Sequence, residues 1–190
     1  MVIETVTVGS LGTNCYILSL DKDAKEVVLV DPGAEGYKIK QRVGDRKVAA
    51  ILLTHGHFDH TGALSYFRNV PIYIHPKDAP MLKNAKLSAG ELMQDHDARP
   101  QATDFYDEGD VLNLAGLSVE VLSTPGHTMG SVCLKIGDEM LTGDTLFKGD
   151  YGRTDLPGGS EAMMRASLRR LFALHGVHCY PGHGEETDIL

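Results

Sequence analysis

The sequence predicts an α+β fold in which two β-sheets pack face to face and helices cover their outer faces. Two observations support this prediction. Short apolar runs fall into two groups that are separated by a long polar stretch, and each group has at least one helical pattern attached to it. Sheets and helices that are apolar on one side bury that side by packing in layers.

The first group of apolar runs contains five predicted strands: "IETVTV", "CYILSL", "EVVLVDPG", "VAAILLT" and "VPIYIHP". The third ends in an Asp-Pro-Gly turn, and the fourth is typical of a buried strand. Helices are predicted over residues 36–43, over "TGALSYF", where Ala63, Leu64 and Phe67 share one face, and over "PKDAPML", with Pro76 near its start.

The second group contains "LSVEVLSTPG", "SVCLKIG", "EMLTG" and "VHCYPG", the last of which is predicted to close the chain. "SEAMMRASLRRLFAL" is the clearest amphipathic helix, with Ser160 as its predicted N-cap. Residues 84–110 are polar and aperiodic, which predicts a long loop with a turn or two of helix, and such loops often act as lids or binding loops. The 190 residues are most simply one domain, 1–190.

The composition argues against several function classes. A formal net charge of -8 disfavours nucleic acid as a partner, because phosphate binding needs clustered Lys and Arg. The sequence has neither an export signal nor an apolar run of the roughly 20 residues that cross a bilayer. Three widely spaced cysteines do not form a disulfide framework. We therefore expect a cytoplasmic protein that acts on a small molecule and binds neither membrane nor nucleic acid.

The stretch "LLTHGHFDHTGAL" places His55, His57, Asp59 and His60 within six consecutive residues after a predicted strand. Four other polar residues also come directly after predicted apolar strands: His127, Asp144, His183 and Asp31. Because loops at one set of strand ends converge, we expect these side chains to meet. Imidazole and carboxylate suit zinc, manganese or iron, and a set without cysteine is typical of a catalytic centre that keeps an open position.

Seven of these residues supply enough ligands for two ions, and Asp144, alone on its loop, is the candidate bridge between them. Asp31 either forms the Asp-Pro-Gly turn alone or accepts a hydrogen bond that orients a ligand histidine. The remaining histidines have no such context and are predicted to be structural or solvated: His75, His96, His175 and His178. Met163 and Met164 are predicted to be core residues, and the cysteines to be buried.

The order His55-x-His57-x-Asp59-His60, His127, Asp144, His183 resembles the complete signature of the metallo-β-lactamase superfamily. The resemblance implies an αββα sandwich with the metals at one edge of the sheets. It also implies that His55, His57 and His127 hold a first metal ion. A second ion would then be held by Asp59, His60 and His183, with Asp144 bridging the two.

The stretch "GDTLFKGDYGRTDLPGGS" is similar to glyoxalase II and its shorter bacterial relatives, which hydrolyse hydroxyacylglutathione thioesters. The resemblance implies that Arg153 contacts the glutathione moiety. In two respects the chain departs from that pattern. Asp155 stands where a tyrosine is expected, and the sequence ends soon after His183, without the helical domain that supplies further glutathione contacts.

These observations predict a thioester hydrolase that binds two divalent ions, and Zn is expected in preference to Fe or Mn. A hydroxide held between the ions is expected to attack the carbonyl. Asp59, His60 and Asp144 are the expected catalytic residues. A mononuclear iron persulfide dioxygenase, which shares the "GRTD" motif, is the alternative, and a non-catalytic metal-binding module is a second. A lactamase is less favoured because Asp144 stands where many lactamases carry a cysteine.

Overall fold

The first of two large sheets contains the N-terminal half of the chain. The computed structural model describes residues 1–190. Six strands lie side by side in chain order: β1 (Val2–Val8), β2 (Thr13–Ser19), β3 (Glu26–Val30), β4 (Lys47–Leu52), β5 (Ile72–Ile74) and β6 (Asp104–Phe105). Strands β1 to β3 pair antiparallel and strands β3 to β6 pair parallel, so the sheet is mixed.

The second sheet also has six strands, in the order β14-β13-β10-β9-β8-β7. These strands are β7 (Val111–Leu114), β8 (Leu117–Ser123), β9 (Val132–Ile136), β10 (Glu139–Gly143), β13 (Val177–Pro181) and β14 (Thr187–Ile189). A separate two-stranded hairpin consists of β11 (Leu146–Phe147) and β12 (Asp150–Tyr151). Strands β10 and β13 are parallel, whereas the other neighbours are antiparallel.

Three α-helices accompany the sheets: α1 (Gly36–Val43), α2 (Phe58–Thr61) and α3 (Glu161–Leu171). Single 3₁₀ turns lie at Leu64–Tyr66, Ala79–Lys83 and Gly90–Met93. Helix α3 begins as predicted, because the Ser160 side chain accepts a hydrogen bond from the backbone N–H of Met163 at 3.4 Å. None of the helices is long and apolar enough to cross a bilayer.

The buried side chains form three layers, and these confirm the predicted αββα sandwich. All of β2 is buried, and its side chains alternate between two layers. Cys15 and Ile17 pack in the layer that contains Ile39 of α1, whereas Tyr16 and Leu18 pack between the two sheets. The third layer lies between the second sheet and α3, and its members include Cys133, Met140, Met164, Leu168 and Cys179.

Several predicted elements have different bounds in the structure. The helix expected over "TGALSYF" instead starts at Phe58, inside the histidine cluster, and only a 3₁₀ turn follows at Leu64–Tyr66. Ala63, Leu64 and Phe67 nevertheless all enter the core, as predicted. The turn over "PKDAPML" begins at Ala79, with Pro80 rather than Pro76 in its first turn. Strand β13 does not close the chain, because β14 follows it and pairs with it.

The loops that carry the predicted ligands begin at equivalent points of the fold. Residues 53–60 follow β4, and Asp31 follows β3. In the second sheet, His127 follows β8, Asp144 follows β10 and His183 follows β13. These carboxyl ends lie at one edge of the sandwich, so the fold itself brings the loops together.

Strand β14 is tied to β13 by an ion-pair group around His178. His178 Nδ1 lies 2.6 Å from Asp188 Oδ1, and its Nε2 lies 3.1 Å from Glu186 Oε2. The pKa of His178 is raised above its ordinary value. The hydrogen bond to Asp188 contributes most, followed by the hydrogen bond to Glu186, and the charge of Glu139 contributes further. Tyr180 packs edge-on against the imidazole ring.

Because the pKa of His178 is raised on folding, protonated His178 stabilises the native state at low pH. This contribution is complete below the unfolded-state pKa of about 6.5 and is lost as pH rises through the raised value. We expect His178→Gln to lower the free energy of unfolding by at most about 1 kcal/mol at about pH 6, and by less at about pH 9, as measured by urea denaturation. The exposed His96 makes no ion pair, and His96→Gln is the control. An equal effect of His178→Gln at both pH values would contradict the assignment.

Candidate metal centre

The structure brings together all seven predicted ligand residues at the edge of the sandwich. Three groups of residues have ligand atoms that all lie within 4.8 Å of one another, and two of these groups contain only predicted ligands. We call His55, His57 and His127 the first triad, and Asp59, His60 and His183 the second triad. Asp144 and five of the six triad residues are at least 85% shielded from solvent, and His183 is the most exposed, at 25%.

The ligand atoms of the second triad have the spacing of a metal site. Asp59 Oδ2 lies 3.2 Å from His183 Nε2 and 3.6 Å from His60 Nε2, and the two imidazole nitrogens are 3.3 Å apart. Ligands at about 2.0–2.1 Å from a tetrahedral zinc ion would be separated by about 3.3 Å. The donor set of the second triad therefore fits a divalent cation.

In the first triad, His57 Nδ1 lies 2.8 Å from His127 Nε2. His55 Nε2 is buried and has no hydrogen-bond partner. A buried ring nitrogen without a partner is costly in a protein interior, unless a cation occupies its lone pair. The first triad therefore also fits a metal ion.

Asp144 lies between the two triads. Its Oδ1 is 3.3 Å from His60 Nε2 in the second triad, and its Oδ2 is 3.5 Å from His127 Nε2 in the first. Its Oδ2 is also 3.5 Å from His183 Nε2. Asp144 Oδ1 is buried without a hydrogen bond, despite the nearby imidazole. One carboxylate thus faces both triads, which is the arrangement that a bridging ligand requires.

Four of the imidazoles each donate one N–H to an oxygen outside the triads. His60 Nδ1 lies 2.9 Å from Asp31 Oδ2, and His127 Nδ1 lies 2.7 Å from the Arg153 carbonyl oxygen. His183 Nδ1 similarly lies 3.2 Å from the carbonyl oxygen of Leu11. His55 Nδ1 lies 3.1 Å from Thr54 Oγ1. The opposite nitrogen of each ring is then left as a lone pair that points into the cluster.

Asp31 makes the contact that the sequence left open. Its carboxylate accepts hydrogen bonds from the Thr54 N–H at 2.8 Å, from the Thr54 hydroxyl at 2.6 Å and from His60. Asp31, His55 and His60 also group by distance. Since the Asp31 oxygens already accept three hydrogen bonds, we interpret that group as a support for His60 rather than as a third metal site.

The carboxylates favour positive charge around the second triad. Burial lowers the pKa of His60, but the charges of Asp59, Asp144 and Asp31 outweigh this effect and raise it well above its ordinary value. Burial opposes a charge on His183 too, yet hydrogen bonds to Asp144 and Asp59 raise its pKa to about 9. A divalent cation would satisfy the same electrostatic demand.

The first triad is electrostatically different. Burial and the neighbouring His127 lower the pKa of His57 to about 3. The pKa of His55 is lowered well below its ordinary value by burial and by the charges of nearby histidines. These rings are neutral at physiological pH, which is the form that binds a metal.

The ligand cluster forms one wall of a cleft of about 500 Å³. The rest of the lining, which we call the apolar wall, is mostly apolar, and its larger side chains are Leu11, Phe58, Leu92, Met93, Phe147 and Leu156. Leu92 and Met93 belong to the 84–110 segment and are largely exposed. Arg153 also lines the cleft, but its guanidinium pairs with Asp155 through Nε at 2.7 Å and Nη2 at 2.8 Å.

The remaining histidines and the three cysteines lie outside the ligand cluster. His75 is buried and lies 3.2 Å from Asp107, whereas His96 and His175 are exposed. All three cysteines are free and buried. Sequence reasoning missed Thr54 and Asp78, which contact the ligand loops, although Thr54 stands directly before His55.

Comparison with known proteins agrees with this geometry. A family model described as the metallo-beta-lactamase superfamily matches residues 8–183. The chain is 37% identical to YqgX of Bacillus subtilis, a probable metallo-hydrolase, over 96% of this chain and 90% of that protein. It is 33% identical to the hydroxyacylglutathione hydrolase GloC of Haemophilus influenzae, over 100% and 93% of the two chains.

Two solved structures are similar along nearly the whole chain. The BLEG-1 B3 metallo-beta-lactamase superposes with a TM-score of 0.91 at 30% identity, covering 99% of this chain and 94% of that one. TTHA1623 in a di-iron-bound form superposes with a TM-score of 0.87 at 36% identity, covering 98% and 94%.

Metal binding is expected to stabilise the fold, because the ligand atoms meet only in the folded chain. Zn²⁺ added to the metal-free protein at about 100 times its Kd should raise Tm by roughly 5–10 °C. Differential scanning calorimetry of Asp144→Asn should show a clearly smaller rise. Glu120→Gln, which alters an exposed carboxylate away from the cluster, should show the full rise. Equal rises in both variants would refute a bridging position for Asp144.

Proposed function

Because this chain belongs to the metallo-β-lactamase superfamily, we propose that it is a binuclear metal-dependent hydrolase of thioesters. The proposed substrate is a hydroxyacylglutathione or a related thiol ester, as the similarity to GloC suggests. The observation that carries the proposal is the chemical content of the cleft, in which the titratable side chains other than Arg153 are all members of the ligand cluster.

The set of titratable side chains in the cleft limits which leaving group can depart. A leaving amine or alkoxide is strongly basic and needs a proton from a positioned acid. Every histidine and carboxylate that lines the cleft is assigned to a metal, and Arg153 does not give up its proton. A thiolate needs no such acid, since the pKa of a thiol is only about 8.5. The cleft therefore favours thioesters over amides and simple esters.

The proposed metal ligands are those of the two triads. His55, His57 and His127 would hold one ion, and Asp59, His60 and His183 the other, with Asp144 shared. Zinc suits this donor set best, with iron or manganese as the other candidates. Bound divalent ions would supply a water of lowered pKa and a Lewis acid for the carbonyl oxygen. The di-iron form of TTHA1623 supports the proposal of two ions.

The protein's own residues would then orient the substrate and keep the ligands in place. Asp31, whose carboxylate is held by Thr54, fixes the His60 ring, and Thr13 Oγ1 donates to Asp59 Oδ2 at 2.9 Å. The apolar wall that includes Leu92 and Phe147 would cover the thiol carrier and exclude water. Arg153 stands at the same cleft as the candidate group for a substrate carboxylate.

A β-lactam is the second candidate substrate, because BLEG-1 is a B3 metallo-beta-lactamase and shares the fold along nearly the entire chain. It is less favoured by the cleft, since an amide nitrogen must be protonated as it leaves. The two candidates differ in the bond that is cleaved and can be compared in one assay series.

The first test is hydrolysis of lactoylglutathione, followed as loss of thioester absorbance, with metal content measured on the same sample. We expect turnover with about two ions per chain, and loss of at least about 10³-fold in kcat/KM on chelation or in Asp59→Ala. Cleavage of a β-lactam in preference to the thioester would overturn the substrate assignment. A single iron with oxygen uptake would indicate a persulfide dioxygenase, and metal without turnover of any substrate would indicate a binding module.

The Arg153–Asp155 pair gives a second test. If Arg153 binds a glutathione carboxylate, Asp155 competes with the substrate for the same guanidinium. Because an exposed ion pair is weak, Asp155→Asn should lower KM for lactoylglutathione by only roughly twofold to fivefold and leave kcat unchanged. Arg153→Gln should raise KM. Asp150→Asn removes a nearby carboxylate that does not pair with Arg153, and it is the matched control. An unchanged KM in both Arg153 and Asp155 variants would exclude Arg153 from substrate binding.

A further inference from the structure

A buried carboxylate outside the ligand cluster connects the loops that carry the first triad. Asp78 is 0% exposed and lies just before the 3₁₀ turn Ala79–Lys83. Its Oδ1 accepts from the Gly130 N–H at 2.8 Å. Its Oδ2 accepts from the Gly56 N–H at 3.1 Å and from the Thr128 hydroxyl at 2.6 Å.

These three donors belong to two loops that come from different sheets. Gly56 lies between His55 and His57, in the loop after β4 of the first sheet. Thr128 follows His127 directly, in the loop after β8 of the second sheet. Asp78 therefore links the loop that carries His55 and His57 to the loop that carries His127.

The two glycines allow both loops to approach this carboxylate. A Cβ on Gly130 would lie 2.6 Å from Asp78 Oδ1 and 2.7 Å from its carboxyl carbon. A Cβ on Gly56 would lie 2.8 Å from the Asp78 carbonyl oxygen and 2.7 Å from Met81 Cβ. Any side chain at either position would push a ligand loop away from Asp78.

We propose that Asp78 is a positioning residue for the first metal ion, which sets the distance between the His55–His57 loop and the His127 loop. This role rests on the proposed metal centre but not on the identity of the substrate. Asp78 has three donors to satisfy and therefore needs both carboxylate oxygens. An asparagine, whichever way its amide is turned, would place an N–H group against at least one of these donors.

The experiment measures Zn²⁺ affinity, by competition with a chromophoric chelator, in chains that retain one triad. Asp59→Ala leaves the first triad intact, and His127→Ala leaves the second. We expect Asp78→Asn to weaken Zn²⁺ binding by about 10- to 100-fold in the Asp59→Ala background. In the His127→Ala background the affinity should stay within about twofold. Asp59 and His60 lie in α2, beyond the Gly56 contact, and are held by Thr13 and Asp31 rather than by Asp78.

Thr128→Val is a milder variant that removes one of the three hydrogen bonds and keeps the shape of the side chain. It should weaken the first site by roughly tenfold, and it tests the role of Asp78 even if Asp78→Asn does not fold. Glu4→Gln is the matched control, since Glu4 is a shielded carboxylate that pairs with Arg42 and Arg46, away from the cluster. It should lower Tm without changing either affinity.

Three results would overturn the proposal. Equal weakening of both sites would make Asp78 a general structural residue, and unchanged affinity at the first site would remove it from the metal centre. An Asp59→Ala chain that binds no Zn²⁺ at all would refute the first site itself. None of these results depends on thioester hydrolysis, so the failure of the proposed substrate is distinguishable from the failure of this role.

Discussion

The centre of this protein depends on where each imidazole places its one N–H group. A neutral histidine has one donor and one acceptor, so a ring presents a lone pair to the cluster only if its N–H is satisfied elsewhere. His60, His127 and His183 use Asp31, the Arg153 carbonyl and the Leu11 carbonyl for this purpose. These acceptors come from three distant parts of the chain. The geometry of the cluster therefore depends on loops that contain no ligand themselves.

Much of the fold could be predicted from the sequence because strong local sequence patterns indicate it. The ligands within residues 55–60 are contiguous, and Ser160 stands directly before an amphipathic helix. Strand β14 was missed because "TDI" is short and mostly polar, and it is a strand only through its pairing with β13. Asp78 was missed for a related reason. Its sequence neighbours resemble the start of a helix, whereas its hydrogen-bond donors lie 22 to 52 residues away.

The backbone at Asp31 shows how a ligand-supporting residue is stabilised in an unusual conformation. Its φ of 50° lies in the left-handed region, which few residues other than glycine adopt. Aspartate tolerates this region better than most residues, and here Thr54 and His60 also hold its carboxylate. The sequence predicts for this residue either a turn alone or a hydrogen bond that orients a ligand histidine. The structure supports the orienting role, because the Asp31 carboxylate accepts a hydrogen bond from the His60 imidazole and residues 31–33 form no regular turn.

The contact between His183 and the Leu11 carbonyl joins segments that are 172 residues apart. Asn14 also donates its backbone N–H to the Gly182 carbonyl at 2.8 Å, so the first hairpin and the final ligand loop close on each other. Contacts this distant in sequence must offset the entropy of closing a long loop before they contribute stability. During synthesis, the chain that has emerged as far as residue 127 already contains every ligand of the first triad. The second triad must wait until residue 183 has left the ribosome, so a chain that is terminated before that residue would never acquire it.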